Sequence, residues 1–353
     1  MNTKQAGTDV GHRPADAGGS GRPGSTMRAA TYRRFGAPEV VHVEEIPKPS
    51  PRPDEVLIKV HASTVSAADH RARSRTVPAG LGIPTALGLG AFRPRHRVLG
   101  MDVAGVVEAT GSAVSRFGVG DEVVAMLGAK FGGHAEYVTV VQDAAITAKP
   151  RTMGFEEAVT IVFGGLTARG FLARADVKPG DTVLINGASG AVGTAAVQLA
   201  KNMGAHVTAV CSNGNRDLVT SLGADRVIDY SAQDFAAGDH TYDVIVDCVG
   251  NAPFSRVSGS LNPGGKLLLV VADLKGILQA SANTRRSGKL VTAGDLKLSY
   301  TADDLADLVR LAEAGRYRPV IDRTYTLSQI VQAHRFVDAG RKKGNAILRI
   351  AGE

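Results

Sequence analysis

The 353-residue sequence contains only two cysteines, Cys211 and Cys248. Two cysteines are too few for a disulfide scaffold and are typical of a reducing compartment, so we expect a cytoplasmic location. Long apolar runs are also missing, because glycine or a charged residue interrupts each of them well before 18 residues. The sequence therefore predicts no transmembrane span. The first 26 residues likewise lack the apolar stretch of a signal peptide.

The formal net charge is +7, which is only mildly basic for this length. The basic residues are dispersed along the chain and no nucleic-acid-binding motif is present, so we expect no nucleic-acid partner. The modest excess of positive charge favours anionic ligands.

Composition divides the chain into a tail, a β-rich part and an alternating part. Residues 1–26 are rich in Gly, Ala, Pro and Ser and are predicted to be a disordered tail. Patterned sequence starts at Met27, which leaves Met1 and Met27 both open as the native start. Residues 27–150 contain Val-rich predicted strands bounded by Gly and Pro, namely Glu55–Val65, Asp102–Thr110, Asp121–Leu127 and His134–Val140.

A segment rich in glycine, proline and arginine, Arg71–Leu99, interrupts the β-rich part. It is predicted to be a long loop, and loops of this length inside a domain are usually functional. Either its six arginines recognise an anionic amphipathic substrate such as an acyl thioester, or they are simply solvated.

From about Met153 the pattern changes to short apolar strands alternating with helices, which predicts a parallel sheet covered on both faces. The predicted strands are Asp181–Asn186, His206–Cys211, Asp225–Tyr230, Tyr242–Val249, Gly265–Ala272 and Gly288–Gly294. The predicted helices between the early strands are Val192–Met203 and Arg216–Leu222. The last part of the chain is predicted to form helices Asp303–Ala314 and Ser328–Gly340 and a closing strand, Asn345–Ile350.

A glycine-rich turn, "NGASGAVG", joins the first strand of the alternating part to its first helix. The turn has Ala188 in place of the first glycine of the dinucleotide fingerprint, and it lies between a strand and a helix as that fingerprint requires. Gly190 lets the backbone approach a pyrophosphate, and Gly193 lets the helix pack close to the sheet. The helix N-terminus favours the anion. The turn therefore predicts a bound dinucleotide.

The end of the following strand, "AVCSNGNRDL", indicates which dinucleotide binds. An NAD-binding unit places an acidic residue on the ribose 2′-hydroxyl about 20 residues beyond the turn, but no acidic residue occurs between Gly204 and Arg216. Ser212 and Asn213 offer neutral hydrogen bonds and Arg216 offers positive charge to a 2′-phosphate. We therefore expect NADPH, although these residues could instead serve as a helix cap and a solvated arginine.

Several stretches together resemble the medium-chain dehydrogenase/reductase superfamily, in its zinc-free quinone oxidoreductase-like branch. They include "MRAATYRRFGAPEVVHVEEIPKP", "LGMDVAGVVEATGSAVSRFGVGDEVVA", "GLTARGFL", "LGADRVIDY" and "YDVIVDCVG", and the resemblance covers nearly all of Met27–Ile350. It implies an α/β fold: a Rossmann doubly wound parallel sheet, residues 151–300, plus a GroES-like β-barrel catalytic domain. The catalytic domain would comprise residues 27–150 and return at 301–353, with the cofactor in the cleft between the domains.

The resemblance also implies where a catalytic zinc would bind. Zinc-dependent members use a Cys where this chain has Ser66, and a His in a "GHE" segment that here reads "GMD", with Met101 in place of the His. The four-Cys lobe for a structural ion is absent. Because Zn²⁺ needs three or four N, S or carboxylate ligands, we expect no metal. Without that Lewis acid, acceptors already activated toward hydride are favoured, namely quinones and conjugated enones.

The candidate site residues follow from the turn and from the resemblance. The catalytic candidates near the nicotinamide are Tyr32, Thr64, Ser66 and Asp69; Tyr32 either donates a hydrogen bond to a substrate carbonyl or only packs. The cofactor-binding candidates are Thr167, Gly187, Ala188, Ser189, Gly190, Ala191, Val192, Gly193, Ser212, Asn215, Arg216, Tyr230, Cys248, Val249 and Asn345. No strong general acid is evident, so bulk water is the expected proton source.

The leading interpretation is a zinc-independent, NADPH-dependent reductase of quinones or α,β-unsaturated carbonyl compounds. The alternatives are an enoyl-thioester reductase and a low-turnover NADPH-binding sensor or structural protein. We also expect a homodimer, because in this superfamily the last Rossmann strand, here near Gly288–Gly294, pairs edge to edge with a second copy.

Overall fold

The structure, a computed structural model, describes residues 25–294 and 299–351. The tail was predicted over residues 1–26, and residues 1–24 of it lie outside the described residues. Of the remaining two, Thr26 is the first residue of the first strand.

The described strands follow in chain order and are numbered accordingly: β1 (Thr26–Tyr32), β2 (Val41–Pro47), β3 (Glu55–Val65), β4 (Asp102–Thr110), β5 (Glu122–Met126), β6 (Tyr137–Val141), β7 (Ile146–Ala148), β8 (Thr182–Asn186), β9 (His206–Cys211), β10 (Arg226–Asp229), β11 (Tyr242–Asp247), β12 (Leu261–Leu269), β13 (Leu290–Ala293), β14 (Ile321–Thr326) and β15 (Asn345–Arg349). The α-helices are α1 (Ala67–Ser74), α2 (Gly82–Leu89), α3 (Phe155–Val159), α4 (Phe163–Ala175), α5 (Ala191–Asn202), α6 (Arg216–Ser221), α7 (Phe254–Val257), α8 (Leu274–Ser287), α9 (Ala302–Glu313) and α10 (Ile330–Asp338).

The β-rich part forms a mixed sheet. Among the described residues the strand order is β14-β15-β3-β4-β5-β7, and β6 pairs with the first half of β3. The closing strand β15 is antiparallel to the end of β3, so the C-terminus of the chain returns to the N-terminal sheet. This pairing brings residues just before β15 close to residues just after β3, which matters for the site.

The alternating part forms a parallel sheet with the order β10-β9-β8-β11-β12-β13 over the described residues. In chain order this is 3-2-1-4-5-6, the doubly wound arrangement in which direction reverses between β8 and β11. The predicted fold class is therefore confirmed. Val183, Leu184 and Ile185 of β8 are all fully buried, because helices cover both faces of the sheet. This burial on both faces explains why the strand is apolar at consecutive positions.

One segment, Phe155–Ala175, meets the length and mean-hydropathy criteria for a membrane span, with a mean hydropathy of 1.2. The sequence expectation did not identify it, because glycines and Arg169 interrupt its apolar run. In the structure 72% of this window is buried inside the protein. Packing in the core explains its apolar character.

The prediction of one long loop over Arg71–Leu99 is wrong. The segment contains the second half of α1 and all of α2. Ser66 and Asp69 form a capping box that starts α1. Pro84 fits within the first turn of α2, where a backbone N–H has no intrahelical acceptor. Glycine and proline therefore bound helices here rather than prevent them.

Candidate functional site

The site lies where β8 and β11 run side by side and the winding direction reverses. Ligands of doubly wound sheets bind in the crevice at this point, outside the carboxyl ends of the strands. The buried carboxylate of Asp247, at the end of β11, accepts a hydrogen bond of 2.8 Å from the Asn186 side chain at the end of β8. It also accepts hydrogen bonds from the backbone amides of Val249, Gly250 and Ala252. Asp247 therefore fixes both strand ends around the crevice.

The glycine turn after β8 has the geometry expected of a dinucleotide-binding loop. Gly187 has φ +80°, a left-handed conformation that favours glycine. A Cβ at Gly193 would lie 2.1 Å from the carbonyl oxygen of Gly187, so the close packing of α5 on the turn requires glycine there. A Cβ at Gly190 would lie 3.6 Å from that same oxygen, an ordinary contact, and its φ of −81° suits any residue. The local packing and backbone conformation therefore do not require a glycine at position 190.

Two connected hollows form one cleft along the crevice. The first, of about 850 Å³, runs past the glycine turn and is called the cofactor half. The second, of about 970 Å³, lies between α1, α10 and the start of α8 and is called the acceptor half. Both halves are lined by Ala67, Val249, Val337 and Gly340.

Most of the predicted cofactor residues line the cofactor half. The predicted residues found there are Ser66, Gly187, Ser189, Gly190, Ala191, Val192, Gly193, Ser212, Asn215, Tyr230, Cys248 and Val249. The predicted residues that do not line it are Tyr32, Thr64, Asp69, Thr167, Ala188, Arg216 and Asn345.

The adenosine end of the cofactor half is built from the end of β9 and the turn after it. Asn215 donates a hydrogen bond of 3.0 Å to the hydroxyl of Ser189 in the glycine turn. Arg216 is exposed at the rim, where its Nε lies 3.4 Å from Oδ1 of Asn213. Neither Ser212 nor Asn215 makes a side-chain cap to the helix that follows it. The helix-cap alternative for Ser212 therefore has no support in the geometry.

An acidic residue that the sequence pattern did not reveal lies near this end. The carboxylate of Asp229, at the end of β10, has its pKa lowered by hydrogen bonds from Ser231, by the backbone of Asn213 and by the nearby Arg216. It is brought there because β10 pairs with β9. The positive charge of Arg216 is therefore partly offset at the rim.

A second group of cations, also missed in the sequence, borders the glycine turn. Arg341, Lys342 and Lys343 line the cofactor half. The backbone amide of Gly344 donates a hydrogen bond of 2.8 Å to the carbonyl of Ser189, which holds this segment against the turn. Burial lowers the pKa of Lys342 to about 8, while Asp322 and Asp102 oppose the shift. The only sequence signal was the run of three basic residues before the closing strand.

The residues around Ser66 form a closed hydrogen-bond network. Ser66 donates through its hydroxyl and its backbone amide to one carboxylate oxygen of the buried Asp69, at 2.7 and 2.8 Å. The other oxygen of Asp69 accepts from the amide of Gly100 at 2.8 Å. Both oxygens of Asp69 are therefore occupied, and one of them holds Ser66 at the cleft wall.

Thr64 and Asp102 form a second buried pair behind this wall. The Thr64 hydroxyl lies 2.9 Å from each carboxylate oxygen of Asp102, and the Thr64 amide donates to one of them. Burial raises the pKa of Asp102 to about 7, against the lowering effect of these hydrogen bonds. Thr64 is thus committed to Asp102 rather than to the cleft.

Three further candidates, Tyr32, Thr167 and Asn345, do not line the cofactor half. Tyr32 is 1% exposed and packs in the core of the mixed sheet, where burial, with the charge of Asp69, raises its pKa to about 12. The hydroxyl of Thr167 lies 3.5 Å from that of Tyr300. The side chain of Asn345 donates to the carbonyl of Val320 at 3.1 Å.

Both cysteines are free thiols. Burial raises the pKa of Cys211 and of Cys248, so each thiol is kept protonated and neither has the character of a nucleophile. This agrees with their interpretation as small packing residues.

The donor set of a catalytic zinc site does not fit this cleft. The Ser66 hydroxyl is held by Asp69, and the thioether of Met101 stands where zinc-dependent relatives have an imidazole. No group of three or more His, Cys, Asp or Glu side chains suited to a metal occurs among the residues described.

The chain is similar to known proteins over most of its length. Residues 52–151 match the alcohol dehydrogenase GroES-like domain family, and residues 222–348 match a family described as zinc-binding dehydrogenase. The chain is 34% identical over 339 residues to a chloroplastic quinone-oxidoreductase of Triphysaria versicolor, covering 92% of this chain and 99% of the relative. It is 32% identical over 322 residues to the quinone oxidoreductase of Sus scrofa, covering 87% and 93%. The solved quinone oxidoreductase of Coxiella burnetii superposes with a TM-score of 0.82 at 29% identity, covering 92% and 99%.

Proposed function

We propose a specific reaction for this chain, which belongs to the quinone-oxidoreductase-like members of the medium-chain dehydrogenase/reductase superfamily and is an oxidoreductase. The proposed activity is the zinc-independent, NADPH-dependent reduction of quinones or α,β-unsaturated carbonyl compounds. The observation that carries the proposal is the glycine turn opening into a cleft that continues past Ser66 into a second hollow. One hollow suits a dinucleotide and the other suits a separate acceptor.

The residues present fit a dinucleotide. Gly190 leaves room for a pyrophosphate, the N-terminus of α5 points its free amides into the cofactor half, and Arg341 and Lys343 supply positive charge beside it. The preference for the 2′-phosphate rests on Arg216 at the rim and on the neutral side chain of Ser212. A bound NADPH supplies the hydride.

The protein's own contribution is position and electrostatics. Ser66, held by Asp69, lines the cofactor half, and its neighbour Ala67 lines both halves. Without a metal, the negative charge that develops on the acceptor must be spread by the acceptor itself, as in a quinone or an enone, and stabilised by hydrogen-bond donors. Saturated ketones and primary alcohols lack that conjugation.

The proposal is tested with purified protein and a panel of acceptors, following NADPH oxidation at 340 nm. We expect turnover with 1,4-naphthoquinone and with conjugated enones, and none with saturated ketones. Treatment with a chelator should leave the rate and the melting temperature unchanged. Steady oxidation of ethanol or benzyl alcohol at matching rates, or stoichiometric zinc by elemental analysis, would contradict it. Binding of NADPH without turnover of any acceptor would favour the sensor alternative.

A second acceptor class has support from charge in the acceptor half. Arg71 and Lys275 line this hollow from α1 and α8, together with Asp247, Asp273 and Asp338, whose carboxylates accept hydrogen bonds from other groups of the protein. Cations there favour an acceptor that carries phosphate or carboxylate groups, as an enoyl thioester of coenzyme A does. This class would be favoured if the KM for crotonyl-coenzyme A were lower than the KM for an uncharged enone of equal chain length. The KM for crotonyl-coenzyme A should also rise steeply with salt concentration.

We propose in addition that the protein is a cytoplasmic homodimer. The two free thiols suit a reducing compartment.

A further inference from the structure

The acceptor half contains a histidine that the cofactor site does not require. On α1, Ala67, His70 and Arg71 follow at i, i+3 and i+4, so they share one face of the helix, and all three line this hollow. Ala67 also lines the cofactor half. The opposite face of the helix buries Asp69 and Arg73. His70 therefore lies one helical turn from the point where the two halves meet.

The imidazole of His70 has a defined orientation. Its Nδ1 lies 2.6 Å from Oδ1 of Asp338 on α10. Since an ionised carboxylate only accepts, Nδ1 carries a proton. Nε2 has no hydrogen-bond partner among the described residues, and the His70 side chain is 28% exposed in the cleft wall. Nε2 is the nitrogen available to a ligand.

A buried arginine holds the carboxylate. The guanidinium of Arg73 is fully buried and donates to both oxygens of Asp338, at 2.7 and 2.5 Å. It also donates to the carbonyl of Gly36. Guanidinium, carboxylate and imidazole thus form a chain in which each group fixes the next, as in sites where a carboxylate orients a catalytic histidine.

The charges around His70 come from several elements. Helix α1 contributes Arg71 and Arg73, and α10 contributes His334 and Asp338. Across the hollow, Asp273 and Lys275 lie at the start of α8. Burial and the neighbouring cationic groups lower the pKa of His334 well below its usual value, so it stays neutral. A guanidinium nitrogen of Arg73 lies 3.5 Å from Nδ1 of His70, farther than the Asp338 carboxylate oxygen at 2.6 Å.

We propose that His70 donates the proton of the reduction, with Asp338 and Arg73 as positioning residues. The inference rests on the proposed function. In the reduction the acceptor carbon gains a hydride, with its electron pair, from NADPH, which becomes NADP⁺. The anion formed on the acceptor takes the proton from Nε2 of the His70 imidazolium, whose N–H bond breaks as the new O–H or C–H bond forms. The neutral imidazole then regains a proton from water.

His70→Gln tests the role, because glutamine still bonds Asp338 but has no proton to transfer. His240→Gln, at an exposed residue outside the helices and strands, is the matched control. Positioned general acids contribute about 10²- to 10⁴-fold to rate. We expect kcat with an enone to fall about 100-fold or more in His70→Gln, with KM for NADPH unchanged. The loss with 1,4-naphthoquinone should be smaller, because a hydroquinone anion is a weaker base than an enolate and needs less help.

Two further readouts separate proton donation from a structural role. The kcat of the wild type should decrease at alkaline pH, and this pH dependence should vanish in His70→Gln. Independently of turnover, ¹⁵N NMR of the cofactor-free protein should show neutral His70 protonated on Nδ1, and Asp338→Asn should shift it toward the Nε2-protonated form.

The outcomes distinguish the two proposals. Wild-type turnover with equal losses for enone and quinone in His70→Gln, or with no loss, would overturn the role of His70 and leave the proposed function standing. Neutral His70 protonated on Nε2 in the wild type would also overturn it. No wild-type turnover with any acceptor would overturn both.

Discussion

At the residue scale, positive charge reaches the cofactor half from two distant parts of the chain. Arg216 stands at the adenosine rim after β9, whereas Arg341, Lys342 and Lys343 lie beside the glycine turn just before β15. Under the proposed function the two sets would contact different phosphates, because the pyrophosphate would lie at the turn and the ribose 2′-phosphate at the rim. Specificity for NADPH should therefore depend on Arg216.

Arg216→Ala is expected to weaken NADPH binding by about 10- to 100-fold, since a hydrogen bond to a charged group contributes roughly 1.5–3 kcal/mol. NADH binding should barely change. Titration of cofactor fluorescence measures both affinities. Arg310→Ala, an exposed arginine on α9, serves as the control. Equal losses for the two cofactors would show instead that Arg216 supports the fold of the rim.

The buried carboxyl of Asp102 predicts a pH dependence of stability. Its pKa is about 7 in the folded protein against 3.8 for an exposed carboxyl, chiefly because of burial. Between these values the folded state holds a proton that the unfolded state has lost, so the contribution of Asp102 is lost as the pH rises from about 4 through 7. The free energy of unfolding should fall by at most about 1.4 kcal/mol per pH unit on this account.

Asp102→Asn cannot titrate, so its difference in unfolding free energy from the wild type should change across this window and level off above it. Urea unfolding at pH 5, 6, 7 and 8 measures the difference. Asp143→Asn, whose side chain is 77% exposed, is the control and should give a constant difference. A constant difference for Asp102→Asn too would contradict the prediction.

At the element scale, the short turn between β8 and α5 must allow α5 to pack closely and, under the proposed function, must also leave space for the cofactor. Gly193 serves the fold, because α5 approaches the turn closely, whereas Gly190 is uncrowded and is proposed to leave room for the ligand. These roles are separable by substitution, since only one of the two positions is crowded.

Gly190→Ala should leave the melting temperature nearly unchanged and weaken cofactor binding by at least about tenfold, because the new methyl group enters the space needed by a pyrophosphate. Gly193→Ala should cost about 1–3 kcal/mol of stability through overcrowding. Thermal unfolding and cofactor titration of both variants give the comparison. Gly190→Ala with unaltered affinity would place the pyrophosphate elsewhere.

The helix α1 is a second element with two functions. Its capping box holds Ser66 at the junction of the two halves, and its exposed face carries His70 into the acceptor half. Its sequence, "AADHRARS", is polar and short, so the spacing of apolar residues did not reveal a helix. The second half of α1 was therefore included in the loop predicted over Arg71–Leu99. The capping box Ser66–Asp69 was the available signal.

At the scale of the whole molecule, β13 is one of the two edge strands of the described parallel sheet. Among the described residues it pairs only with β12, which leaves its outer edge without a backbone partner. Leu278 of the adjacent α8 is 70% exposed. An open edge next to an exposed apolar side chain is a surface that proteins usually cover.

We therefore expect a symmetric dimer that continues the sheet through β13. Light scattering at micromolar concentration should give twice the chain mass of 36.7 kDa. Dilution should lower hydrogen-exchange protection of the β13 amides and leave that of β11 unchanged, because β11 is internal to the sheet. A monomer mass at micromolar concentration would contradict the prediction.

The sequence by itself determined the features that depend on neighbouring residues. The strands Glu55–Val65, Asp102–Thr110 and His206–Cys211 have the predicted bounds, because side-chain periodicity and flanking turn residues are local properties. The glycine turn was identifiable for the same reason. The alternation of strands and helices predicted a parallel sheet covered on both faces, and the family resemblance implied that this sheet is doubly wound.

Only the tertiary structure decided which distant residues meet. His70 and Asp338 are separated by 268 positions, and Thr64 and Asp102 by 38, and no local pattern connects them. The basic run at 341–343 borders the glycine turn because β15 returns to β3 and Gly344 bonds Ser189. Such contacts depend on long-range packing of whole elements, which a period of two or 3.6 residues does not encode.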